Sequence, residues 1–123
     1  MSRPSRRGVL GGLAALAACA AYMTMETAYN AAFRQQCDAE EAGNKAEERR
    51  LDAVQHALAV EQEEPLGVII KTMATTPAGR AAKAAVAMTL VQSTLAGEPM
   101  SKEDALIWSL AEDLAGKPLV PPS

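Results

Sequence analysis

A chain of 123 residues that is 49% apolar but only 3% aromatic has room for one modest domain, with alanine supplying much of its apolar surface. Nine of its twelve basic residues and all fifteen acidic ones follow Cys19, so beyond that point the chain is net acidic. This balance repels nucleic-acid phosphates and argues against nucleic acid as a partner, and the Ala-rich composition favours close-packed helices over a sandwich or barrel.

The first element, residues 1–25, opens with Arg3, Arg6 and Arg7 and continues as an uncharged run from Gly8. Its opening, Ser5-Arg6-Arg7-Gly8-Val9-Leu10, resembles a twin-arginine export signal: Ser5, Arg6, Arg7 and Leu10 occupy pattern positions, while Val9 replaces the commonest phenylalanine and Gly11 an optional lysine. Leu16-Ala17-Ala18-Cys19 resembles the lipobox of bacterial lipoproteins, and that resemblance implies lipid attachment at Cys19, which would become the new N-terminus. Ala18-Cys19-Ala20 equally fits the small-x-small rule of ordinary cleavage, which would release a soluble protein starting near Ala21. A third alternative keeps the segment whole as a membrane anchor. No charge occurs from Gly8 to Met25, a run about as long as the shortest membrane spans, although its glycines and alanines make it weakly hydrophobic. Tyr22, Tyr29 and Phe33 follow at its outer end, where aromatic rings favour the membrane interface. Under all three alternatives the positive-inside rule keeps the arginines in the cytoplasm and sends everything beyond Glu26 across.

Residues 26–64 are expected to form a charged helical segment, free of proline and with Gly43 as their one glycine. Tyr22, Met25, Tyr29, Ala32 and Phe33 recur at helical spacing, so one apolar face continues out of the first element. Gly43-Asn44 marks a break, because glycine weakens a helix and asparagine tolerates the left-handed turn that ends one. Beyond it Leu51, Val54 and Leu58 make a short heptad-like stripe, but Glu61 takes the next apolar place, so a short helical pairing is expected rather than a sustained coiled coil.

Pro65 disfavours a helical residue before it and sets the start of a connector over 65–76, whose Val68-Ile69-Ile70 is read as helix or extended chain. A helical hairpin is predicted over 77–117. Thr76 caps and Pro77 opens its first helix, which should run to Ala96 before Gly97 and Pro99 stop it. That helix is apolar nearly all round, so it must be the central element of a bundle or meet a partner. Ser101-Lys102-Glu103-Asp104 resembles a capping box for the last helix, which reads to Ala115, with Ile107, Leu110, Ala111 and Leu114 as its buried face and Trp108 as a plug beside it. Gly116 and Pro118 end it, and 118–123 is an extended tail. The fold class is therefore all-α: a signal or anchor helix, a charged helix and a small Ala-rich bundle or hairpin.

Little chemistry is indicated. His56 is the one histidine and reads as a solvated helical residue; one imidazole makes no metal site by itself, and no metal or cofactor is expected. Ser93, Ser101 and Ser109 lack a nucleophile elbow, no phosphate-cradling loop follows the first element, and Glu61, Glu63 and Glu64 read as a solvated helix end. Arg80 and Lys83 read as a solvated edge, and Met73, Met88 and Met100 as gap-fillers. Once Cys19 is lipidated or removed, Cys37 is left unpaired in an oxidising compartment and is a candidate for an intermolecular disulfide.

The leading expectation is a small, non-enzymatic, membrane-associated protein of the bacterial cell envelope that contacts the membrane through its N-terminal segment and another envelope protein or its own copies. Two alternatives stay open. One is a soluble periplasmic accessory subunit or carrier exported by the twin-arginine route. The other rests on a resemblance to inner-membrane spanins of phage, which implies an uncleaved anchor and a covalent dimer through Cys37.

Overall fold

The computed structural model describes residues 6–120, with side-chain surroundings from Leu13 onward. Four helices form among them, in the order α1 (Arg6–Glu41), α2 (Lys45–Lys71), α3 (Pro77–Met88) and α4 (Lys102–Ala115), and no strand does, so the chain is all-α. Ser5 lies outside the described residues, as do 121–123 of the tail, and for Arg6, Arg7 and Leu10 the helical backbone alone is described.

The break at Gly43-Asn44 is where the chain leaves α1 and turns back along it. Gly43 takes a φ of 70°, the left-handed region that costs glycine least, and the Asn44 amide donates to the Ala39 carbonyl at 2.9 Å. Asn44 then caps α2, its side-chain oxygen accepting from the Glu47 amide at 3.2 Å. The two long helices run antiparallel from this turn. Near it Ala32 and Ala39 of α1 pack with Leu51 and Val54 of α2. Midway, Gln55 donates to the side chain of Gln36, and Gln62 donates to Glu26 at 2.8 Å. At the far end Ala18, Cys19 and Tyr22 meet Ile69 and Leu66.

This seam differs from the expected short pairing. Along α2 the inward stripe is Leu51, Gln55, Leu58, Gln62 and Ile69, a seven-residue repeat in which glutamines hold two core positions. Following apolar residues alone leads instead onto Val54 and Glu61. Both glutamines are buried, and each finds polar partners across the seam, which removes most of the desolvation cost.

Pro65 differs from its expectation too, because α2 passes through it to Lys71 and only the later part of the supposed connector, from Thr72 on, is non-helical. Proline removes one amide from the helix ladder and crowds the preceding turn. Here the turn beyond it is fixed by the core contacts of Leu66 and Ile69, so packing outweighs the local cost. Lys83 of α3 donates to the Thr72 carbonyl at 3.1 Å, placing a cation at the C-terminal end of α2 where the helix dipole favours one. The lysine expected on a solvated edge thus joins two elements.

Helix α3 begins where the sequence predicts, with Thr76 accepting from the Gly79 amide at 3.0 Å and Pro77 in the first turn. It is the central element. Val86 and Ala82 face α1 and α2, while Ala84 and Met88 face α4. It stops at Met88, well short of Ala96, because the β-branched residues Thr89, Val91 and Thr94 weaken the helix and Thr89 finds a better role. The Thr89 hydroxyl donates to the Val86 carbonyl at 2.7 Å and meets the Tyr22 hydroxyl at 2.9 Å, tying the end of α3 to α1. A compact loop over 92–100 follows, closed by an isolated bridge between Ser93 and Pro99 and by Gly97 at a φ of 80°.

Helix α4 starts at the expected cap. Ser101 accepts from the Asp104 amide at 3.0 Å and donates to the Asp104 carboxylate at 2.8 Å, and the same carboxylate accepts from the Gln92 amide, pinning the loop. Gly116, at a φ of 70°, ends the helix. Trp108 plugs the space against α3, and its ring N–H donates to the Leu119 carbonyl at 3.1 Å, which holds the start of the tail.

Candidate functional site

Two surfaces bear on what this molecule does: the place where the supposed export segment sits, and the outer face of α4.

In the first, Cys19 is a core residue. Only 4% of its surface is exposed, and it lies where α1, α2 and α3 converge, among Ala18, Tyr22, Ile69 and Val86. Burial pushes its thiol pKa up, with the Lys83 ammonium opposing the shift in part, so the sulfur is held as a neutral thiol and a weak nucleophile. Cleavage before Cys19 would take Ala18 from this cluster, and cleavage near Ala21 would take Cys19 as well, leaving Tyr22 as the buried α1 member. The opposite side of the same stretch faces outward: Leu13, Ala17 and Ala20 are exposed and uncharged. Between α1 and α2 an open groove of about 590 Å³ is lined by Ala14, Ala17, Ala21 and Met25, with Glu61 and Glu64 at its edge. No helix among the described residues is long and apolar enough to cross a membrane.

Cys37 lies on the exposed side of α1, far along the helix from Cys19, and both thiols are free. His56 is exposed on α2. Among the described residues no group of three or more His, Cys, Asp or Glu side chains stands close enough to hold a metal ion. Glu61, Glu63 and Glu64 are all exposed, as a solvated stretch of helix requires.

The second surface is a correction to the expected packing of α4. Ile107, Leu110 and Leu114, expected on its buried face, are all exposed, Leu110 by 53%. Of that set only Ala111 is buried, at 2% exposure. The inward side is built from Ala105, Trp108, Ala111 and Ala115, small residues around one large ring. The reason is mutual fit. The alanines of its inward side let α4 approach the more Ala-rich α3 closely, and Trp108 fills the remaining space while reaching a carbonyl for its N–H, so the rotation that buries the tryptophan turns the leucines outward. Leu106, Ile107, Leu110 and Leu114 therefore form an unpartnered apolar stripe along the helix, of the kind that soluble surfaces seldom leave bare without a partner. Glu103 stands at its beginning and Lys117 just past its end, both exposed. The sequence signal for this was present but ambiguous, since α4 carries apolar residues on two faces and spacing alone does not say which one the rest of the chain covers.

Compared with models of protein families, with curated proteins and with solved structures, the chain matches none.

Proposed function

We propose that this chain is a non-enzymatic helical interaction protein of the bacterial cell envelope, exported, associated with the membrane and engaged with another protein or its own copies. The observation that carries the interaction role is the bare leucine stripe of α4, a rigid, preorganised apolar surface on an element braced by Trp108 and capped at both ends.

The location rests on Ser5-Arg6-Arg7 and the uncharged run behind it. The place of Cys19 in the core supports the form in which the segment is retained, since cleavage or lipidation there removes part of what holds α3. Contact with the membrane then falls to the arginines and to the uncharged outward side at Leu13, Ala17 and Ala20. Cys37, exposed and free, is available for an intermolecular disulfide in an oxidising compartment.

The test is fractionation of bacterial cells producing the full chain, with intact-mass measurement and the variant Arg6→Lys/Arg7→Lys beside it. The expected result is full-length protein in the envelope fraction, with the variant shifted to the cytosol. Wild-type protein in the cytosolic fraction overturns the location. A mass lacking the residues before Cys19 or before Ala21, or increased by acyl chains, overturns retention of the segment.

A further inference from the structure

We propose that the outer face of α4 recognises a second copy of this chain, the two α4 helices lying antiparallel about a two-fold axis through Leu110. The proposal rests on the interaction role given above and names its partner.

The argument is the distribution of charge along the stripe. Leu106, Leu110 and Leu114 are spaced by four residues and form one ridge along the helix, with Ile107 beside it. Glu103 precedes this ridge by three residues and Lys117 follows it by three, immediately after the Gly116 cap. When two copies meet antiparallel about Leu110, Leu110 lies level with itself. Leu106 is then level with Leu114 of the second copy, and Glu103 stands at the end where Lys117 of the second copy follows its Gly116 cap. By symmetry the last two matches each occur twice, so both ends of the apolar seam close with opposite charges. A parallel arrangement instead sets Glu103 against Glu103 and Lys117 against Lys117, which opposes it. The stripe is thus complementary to itself in one orientation, which is the requirement for a closed two-fold interface.

Nothing in the chain competes for the stripe among the described residues, because α3 occupies the other side of α4. The helix is about 21 Å long, so the contact is smaller than that of an obligate dimer, and a reversible dimer with a dissociation constant on the order of 10 µM is expected.

Sedimentation equilibrium of the full chain under reducing conditions, which keep a Cys37 disulfide from contributing, tests the proposal. The expected result is a monomer–dimer equilibrium that Leu110→Glu weakens by roughly tenfold or more. Leu110 is half exposed, so the substitution leaves the fold intact, and an unchanged circular dichroism spectrum checks this. Charge reversal is the sharper arm: Glu103→Lys alone and Lys117→Glu alone each weaken the dimer, and the double reversal restores it. A monomer at every concentration overturns the proposal. So does a dimer indifferent to Leu110→Glu, or a double reversal no better than the single ones. None of these outcomes touches the envelope location, which fractionation reads separately; cytosolic protein that still dimerises through α4 overturns the location alone.

Discussion

The α1–α2 hairpin carries hydrogen-bonded amides within its apolar seam, and the α3–α4 pair packs apolar side chains alone. Between α1 and α2 the seam holds Gln36, Gln55, Gln62 and Glu26 among Ala32, Ala39, Leu51, Tyr22 and Ile69, every glutamine hydrogen-bonded. Between α3 and α4 it holds Ala84, Met88, Ala111 and Trp108, and the larger aliphatic side chains of α4 stand outside. Glutamine pairs fix register, because sliding one helix past the other leaves buried amides without partners. An alanine seam permits close approach but buries little area per residue, so it contributes less and leaves apolar surface available elsewhere. Both pairs leave apolar side chains outside, Phe33 and Ile70 on the long hairpin among them, but on α4 Leu106, Ile107, Leu110 and Leu114 line up as one continuous stripe.

The two halves are joined at one place, and the largest effect is expected there. Val86 is the most deeply buried large side chain and sits where α3 meets both long helices. Val86→Asp would put an unpaired charge into that junction at a cost of about 3 kcal/mol or more. In urea, followed by circular dichroism and by Trp108 fluorescence, the variant should lose the α3–α4 signal at lower denaturant than the signal of the hairpin. Coincident transitions at the wild-type midpoint would mean that the junction does not couple the two halves.

A smaller effect separates the seams themselves. Gln55→Leu leaves Gln36 without its side-chain partner and should destabilise by about 1–2 kcal/mol, while Gln36→Leu/Gln55→Leu, which removes both amides, should regain most of that loss. Urea midpoints for the four members of this cycle decide it. If the double variant is as unstable as the sum of the singles, the pair contributes no coupling, and the contrast between a polar and an apolar seam loses its energetic basis.

That contrast also marks how far the sequence could be read. Breaks and caps were legible, because Gly43-Asn44, Thr76-Pro77 and Ser101 with Asp104 act through bonds a few residues long. Features settled by distant neighbours were not. Gln55 and Gln62 look like surface residues until Gln36 and Glu26 are placed opposite them, and Pro65 looks like a boundary until Ile69 is seen in the core. The outward turn of Leu110 depends on what Trp108 finds against α3 and Leu119. The N-terminal run carries a second use that its composition does not show: residues 1–25 read as an address, and the fold also places Ala18, Cys19 and Tyr22 at the meeting point of three helices.

The smallest expected effect lies at the start of α2. Glu47 there accepts from the Arg50 guanidinium at 2.9 Å, and this hydrogen bond, more than the charge itself, holds the Glu47 carboxyl below its ordinary pKa. A group whose folded-state pKa is lowered stabilises the fold above its unfolded value and loses that contribution as pH falls through the folded one. Both charged groups reach solvent and are screened by salt, so Glu47→Gln should lower the melting temperature at neutral pH only slightly. The same small loss flattens the acid limb: the wild-type melting temperature falls further than that of the variant as pH drops through the carboxylate range, the two converge in acid, and added salt narrows the gap at neutral pH. Glu47 also faces the positive end of the helix dipole, which acts in the same direction. Repeating the measurement in an Arg50→Gln background separates the two causes, since any acid-limb difference that Glu47→Gln still produces there belongs to the dipole alone.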